Sequence, residues 1–279
     1  MEEAAFWQSV VEHEYAVPPE HRLEEMTRTL MDWLGSPDPV LRDRYAYPIL
    51  EHWLHADTYP QAAVRGMMAE LAANLMHGLG ERETDSIFLR TFSVLLLAEI
   101  VHYDNARQFL DQAEVRQLLE LALVYLEAER DLRGWVPEKG WAHSVAHTAD
   151  LLFVLARSRH LDSPDLRRLL DGIVGKLAAG GSFYVCGEDE RLVRAVLAVA
   201  ERELLPVDDL ASWMRRLTQS LRTLDWMNDA TLEPSLDVHH NTKLLLQSLY
   251  VQLMREDEPP AVAAELLPAV RDALRALAW

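Results

Sequence analysis

The sequence predicts an all-α fold: a right-handed α/α superhelix of about six antiparallel helix pairs, HEAT- or armadillo-like, with a closed α/α toroid as the alternative. Three observations predict it. Apolar residues recur at intervals of three and four along nearly the whole chain, the period of a helix with one buried stripe. Gly and Pro are sparse, 11 and 13 of 279 residues, too few for a turn-rich all-β fold and too many for a coiled coil. No run alternates polar and apolar residues long enough for a strand, and Phe183 to Cys186 is the one short extended piece expected.

The elements follow in order. Met1-Glu2-Glu3 leads into an amphipathic segment, and Leu23, Met26, Leu30, Trp33 and Leu34 form the next stripe. Ser36-Pro37-Asp38-Pro39-Val40 opens another helix, with a polar cap and a proline where the missing N–H costs nothing. Pro48 lies inside that helix and predicts a kink. Further stripes run through 61–79, 86–103, 114–128, 145–156, 165–178, 190–204, 209–221, 243–254 and 261–277. Breaks fall at Gly80, Gly134 to Gly140, Gly180-Gly181, Pro206, 225–237 and Pro259-Pro260. About twelve helices with short connections read as one all-helical domain over 1–279. No segment contains a core of its own, which stacked pairs would explain.

Composition excludes several functions. The formal net charge is −18, from 45 acidic and 27 basic side chains. That balance argues against nucleic acid, whose phosphates require clustered cations, and against an anionic membrane surface. The charge is uneven: residues 1–140 hold 25 acidic and 12 basic side chains, residues 141–279 hold 20 and 15. One cysteine, Cys186, excludes an intrachain disulfide and a cysteine-rich metal site, and reads as a small buried apolar residue. No secretory signal is visible, and apolar stretches such as Val94 to Ala98 fall far short of a bilayer span. A cytoplasmic protein is expected.

Four polar clusters are not explained by packing. The densest runs from Glu127 to Asp150. Its loop half holds Trp135 and Trp141 with Arg130, Arg133 and Lys139, and two tryptophans in one loop predict that it folds back onto the body. Its helical half places His143, His147 and Asp150 at i, i+4 and i+7, one face of a helix and a ligand set for Zn, Mn or Fe. Ser144 stands where a zincin motif carries its glutamate. The alternative reading is two hydrogen-bonded imidazoles with Asp150 orienting one of them.

Thr84 or Asp85 caps a second cluster, in which Ser86, Arg90 and Ser93 share a face, so Arg90 either belongs to a solvated stripe or presents its fork to an anion. In the third, Gly187 to Leu192, the acids complement a helix dipole, and Glu188 and Arg191 are spaced to interact. Those carboxylates equally suit pairing with Arg133 or Lys139. The fourth, Asp225 to Lys243, reads as a long polar loop. His239 and His240 diverge by about 100° on a helix, so only one can face a site, together with Asn241.

Several of these runs resemble one family. Asp131-Leu132-Arg133-Gly134, then Lys139-Gly140-Trp141-Ala142-His143-Ser144-Val145-Ala146-His147 and Ala149-Asp150, look like the signature of the DUF2785 family, an uncharacterised bacterial group. Thr84-Asp85-Ser86 with Phe88 and Arg90 to Ser93, Gly187 to Leu192, and Asn241-Thr242-Lys243 to Leu253 resemble its other motifs. The likeness covers approximately residues 35–255 and implies an all-helical, HEAT-like bacterial protein. It brings no activity, substrate or cofactor. Thr148 stands where a smaller residue is expected.

Three functions are consistent with these residues. The first is a binding scaffold whose concave groove holds a small anionic ligand or a protein or peptide, lined by Asp85, Arg90, Arg133, Lys139, Trp141, His143, His147, Glu188, Asp189, Arg191 and Asn241. The second is a metal-dependent hydrolase with His143, His147 and Asp150 as ligands and Glu138 or Glu188 as general base. The third is a structural or assembly protein whose motif residues are buried networks. The scaffold is favoured, since the ligand set is incomplete and no nucleophile–base pair is recognisable.

Overall fold

A computed structural model of the chain describes residues 2–219, 221, 235–255 and 262–277. Among these, twelve α-helices and one π-helical segment account for nearly all regular structure, and the only sheet is a two-stranded hairpin. The all-helical class follows from the sequence period. The chain divides into two compact units, one comprising Met1–Phe109 and Glu129–His147, the other Leu110–Ala128 and Thr148–Trp279.

The first unit begins with α1 (Glu2–Glu12) and α2 (Leu23–Trp33), joined at a Trp7–Trp33 edge contact of 5.4 Å. The next segment, Val40–Ala46, is a π-helix that runs into α3 (Tyr47–His55). Pro48 gives the reason. It has no N–H for the carbonyl four residues back, and its ring would collide there, so the preceding turns widen. The start is as expected: Ser36 Oγ accepts from the Asp38 N–H, and Asp38 Oδ1 from the Val40 N–H. α4 (Gln61–Asn74) and α3 both pack on α5 (Ser86–Arg107).

α5 is long and apolar enough, by length and composition, to cross a membrane. Here it is a core helix, burying Ile87, Phe88, Leu96, Leu97, Ile100 and Val101 on several sides. The short apolar run at Val94 to Ala98 understated it, because Ser93 and Glu99 end the run without breaking the helix.

The segment after Glu129 contains β1 (Trp135–Val136) and β2 (Gly140–Trp141), antiparallel, with Trp135 opposite Trp141 and Val136 opposite Gly140. Only two residues per strand pair, too few to leave an alternating pattern in the sequence. Val136 and Ala142 bury against Ile87 and Phe88 of α5. The tryptophans stay outside.

In the second unit, α6 (Gln112–Ala128), α8 (Ser163–Ala179), α10 (Val207–Gln219) and α12 (Ala263–Ala276) form a row of successive neighbours. α9 (Glu188–Glu201) and α11 (Leu236–Leu253) pack on each other, and α8 touches both. α7 (Ser144–Ala156) has its first turn, through His147, in the first unit and the remainder in the second, and α8 starts with a capping box between Asp162 and Asp165. The Trp213 indole N–H donates to the Leu170 carbonyl at 2.8 Å, tying α10 to α8.

Three expectations change here. His239 to Thr242 belong to α11 and not to a loop, because the helix begins at Leu236 with Ser235 before it. Phe183 to Cys186 forms no ladder: Phe183 and Val185 point outward, Tyr184 is buried, and the Tyr184 N–H is satisfied by Asn241 Oδ1 at 2.8 Å. Cys186 is partly exposed and not a core residue. The expected breaks within 225–234 and at Pro259-Pro260 lie outside the described residues.

Candidate functional site

The polar residues of the first unit gather around the hairpin and the start of α5. Arg42, in the π-helical segment, is wholly buried. Its guanidinium lies over Phe88 at 4.1 Å and Phe92 at 4.8 Å. It donates to the Ser36 carbonyl at 2.6 Å, to the Lys139 carbonyl at 2.5 Å and to Asp43 Oδ1 at 2.8 Å. Burial lowers its pKa, and the Asp43 carboxylate opposes the change. The hairpin passes so close that a Cβ on Gly140 would lie 2.7 Å from Asp43 Oδ2 and 3.0 Å from Arg42 Nη2.

Arg90 does not offer its fork to a ligand. Nε and Nη2 grip Glu129 at 2.6 and 3.2 Å in a fully buried pair, and Nη1 donates to the His77 carbonyl at 2.9 Å and to Ser86 Oγ at 2.8 Å. The solvated stripe is equally wrong, since Arg90, Thr91 and Ser93 are all buried. Glu129 Oε1 also accepts the N–H groups of Arg130 and Asp131, both at 2.9 Å, so the pair anchors the chain where it enters the loop.

Arg133 pairs with Asp131, its Nη2 at 2.6 Å from Oδ2, and donates to the Thr84 carbonyl at 2.8 Å. That carboxylate raises the Arg133 pKa. Lys139 Nζ holds both Asp85 oxygens, at 2.6 and 2.8 Å. Asp85 occupies the N-cap position of α5 without capping it, because its carboxylate is turned to Lys139. The pairing of Arg133 or Lys139 with Glu188 or Asp189 is therefore replaced by partners in their own unit. Glu138 is exposed at the hairpin tip with φ +65°, and His143 has φ +53° and precedes α7 instead of lying in it.

The aromatic residues form the exposed part. Trp135 and Trp141 meet edge to face at 4.9 Å, and Trp141 stacks on His143 at 4.2 Å. Trp135 keeps 56% of its surface exposed and Trp141 39%. His147 lies beneath, 5.6 Å from His143 and 5.3 Å from Phe92, centroid to centroid. Its Nδ1 donates to the Thr91 carbonyl at 3.2 Å, since that oxygen can only accept.

The remaining candidates lie in the second unit. Asp150 accepts from Arg191 Nη1, with Arg194 Nη1 at 3.7 Å. As a metal ligand it would first have to give up a guanidinium, and Arg191 is thus paired with Asp150 instead of Glu188. Glu188 Oε2 accepts the Cys186 N–H at 2.8 Å, and Asp189 Oδ2 accepts from Ser248 Oγ. Asn241 holds the 182–184 strap at both ends: Oδ1 takes the Tyr184 N–H, and Nδ2 donates to the Ser182 carbonyl at 2.8 Å. His239 is buried and His240 exposed, as their helical divergence requires.

A cavity of about 490 Å³ opens beside the start of α5 in the first unit. Asp32, Glu70 and Asp85 line it, with Ser36, Asn74 and His77. Sequence reading missed Asp32, Glu70 and Arg42. Nothing local marks the first two, and Arg42 reads only as the arginine of a HEAT-like repeat start, Asp38-Pro39-Val40-Leu41-Arg42-Asp43. Glu51, His55 and Glu99 are a further convergence in this unit that was missed. Their signal was present as spacing, Glu-x-x-x-His on α3 and Glu-x-x-His on α5 through His102.

No curated protein and no solved structure matches the chain. A family model described as "Protein of unknown function (DUF2785)" matches residues 75–251, more than half of the 279 residues and starting later than the resemblance suggested. The matched stretch holds the Arg90–Glu129 pair, the hairpin and both imidazoles of His143 and His147, and with that match the chain belongs to the DUF2785 family.

Proposed function

We propose that this chain is a binding scaffold for a protein or peptide partner, engaged through the tryptophan hairpin. The observation that carries the reading is the contrast between cations and aromatics. Each cation expected to hold a small anion is already matched by a carboxylate: Arg90 by Glu129, Arg133 by Asp131, Lys139 by Asp85 and Arg191 by Asp150. Two tryptophans, by contrast, stand in solvent on a hairpin held rigid by Arg42, Lys139 and the buried Val136. Pre-ordered aromatic side chains bind at little entropic cost and dominate interface energetics. With a net charge of −18 and three carboxylates around the nearby cavity, a partner segment with Lys or Arg beside an apolar residue fits best. The reading includes stacking of helix pairs as a right-handed superhelix, which the α6–α8–α10–α12 row and the α9–α11 contact support for the second unit.

Selection from a displayed random-peptide library provides the test. Basic, apolar-containing peptides should be enriched, and Trp135→Ala or Trp141→Ala should weaken a selected peptide at least about tenfold by calorimetry. Far-UV circular dichroism and melting temperature should be retained. Equal binding by the double tryptophan variant would rule the hairpin out. Saturable binding of inorganic phosphate or citrate, lost in Arg133→Ala, would restore the anionic ligand.

A further inference from the structure

We infer that Glu51, His55 and Glu99 form a divalent transition-metal site in the first unit, apart from the hairpin and independent of the binding proposal. Glu51 and His55 stand one turn apart on α3, and Glu99 approaches from α5. Their ligand atoms, one imidazole nitrogen and two carboxylate oxygens, all lie within 4.8 Å of one another. His55 Nε2 is 2.8 Å from Glu99 Oε2. A tetrahedral zinc ion with bonds of about 2.0–2.2 Å separates its ligands by roughly 3.4 Å, so side-chain adjustments well under a residue's length close the set.

The supporting geometry is that of a built site. Tyr47, one turn before Glu51, donates its hydroxyl to the other Glu99 oxygen at 3.1 Å and so orients the carboxylate. The His102 ring, one turn beyond Glu99 on α5, meets the His55 ring edge to face at 5.3 Å. Arg107, whose charge reaches His55, is itself bound to Asp57 through both Nε and Nη2, at 3.0 and 2.6 Å. Glu51 and Glu99 thus converge on the His55 imidazole.

The donor set favours zinc. One imidazole with two carboxylates is a ligand type that zinc and manganese accept, and calcium and magnesium prefer oxygen alone. His55 and Glu99 are partly exposed, 34% and 19% of their side chains, so a fourth position is open to water. Joining α3 to α5 across this site clamps the two helices together.

The experiment uses the full chain without a polyhistidine tag, stripped with chelator and dialysed. Zinc titrated against a chromophoric indicator should bind with one site per chain, and cobalt should give the visible absorption of a four-coordinate ion. His55→Ala and Glu99→Gln should each weaken zinc about 100-fold, and Glu51→Gln about tenfold or more, with magnesium failing to compete. His55→Gln serves as the second variant should His55→Ala melt at a lower temperature. Unchanged zinc binding in these variants, or its loss in His143→Ala with His147→Ala, would overturn the assignment. So would failure of the folded wild-type chain to bind zinc at micromolar concentration.

Discussion

Arg90 concentrates the energetics of the first unit in one side chain. A guanidinium and a carboxylate buried together are costly to bring out of water, and costlier still to separate. Arg90→Ala leaves the buried Glu129 carboxylate without its ionic partner, and urea denaturation should register a loss of about 3–5 kcal/mol. Glu129→Gln should lose less, because its amide oxygen can still accept the N–H groups of Arg130 and Asp131. A double-mutant cycle in which the two losses simply add would refute the pairing. His239 makes a different prediction. Burial, then the positive charges of Lys243 and His240, hold its pKa below the usual 6.5, against the Leu277 carbonyl that favours the charged form. The unfolded chain binds this proton first, so stability is intact above that pH and falls as the pH drops through about 6.5 toward the lowered folded-state value. In His239→Gln the fall in melting temperature over that range should be shallower than in the wild type.

At the scale of an element, the hairpin depends on close approach. Gly140 has φ +80°, and the space where a Cβ would sit is taken by Asp43 and Arg42. Gly140→Ala combines backbone strain with a clash against a buried ion pair, for an expected loss of about 2 kcal/mol or more. It should also release the Trp141–His143 stack, visible as a change in tryptophan fluorescence before global unfolding. Gly175, in the middle of α8, is the contrasting case. An added Cβ there meets nothing within 4 Å, so Gly175→Ala should stabilise the chain by roughly 0.5–1 kcal/mol through helix propensity alone. Destabilisation by Gly175→Ala would mean that the outer face of α8 is covered in solution.

On the scale of the whole molecule, the acidity has a structural counterpart in rows of exposed ion pairs between successive helices. Arg116 bridges to Asp162 and Asp165, Arg168 to Glu120, Arg167 to Asp209 and Arg216 to Asp171. Each arginine recruits a carboxylate from the neighbouring helix, which keeps a chain of net charge −18 from being uniformly repulsive. Solvent and salt screen such pairs, so the Arg167–Asp209 coupling should measure below about 1 kcal/mol and shrink further in high salt. Their part is to set which faces meet, and burial of Leu166, Leu169, Trp213 and Leu217 supplies the stability.

The helical class and most helix positions were legible in the residues, because a 3.6-residue stripe is a local property: the stripe expected over 86–103 became α5 at 86–107, and that over 165–178 became α8 at 163–179. The dense polar run from Trp135 to His147 was legible as unusual too. The roles of its residues were not. Whether Arg90 faces solvent or Glu129, and whether Asp150 meets a metal or Arg191, depends on which partner another helix brings alongside, 39 and 41 residues away in the chain. The role of Arg42 against the hairpin was hidden for the same reason, since its partner carbonyl at Lys139 lies 97 residues on. Periodicity reports which face of a helix is buried. Only tertiary packing decides which charges meet there, because a pairing energy belongs to two residues and no local pattern encodes the second.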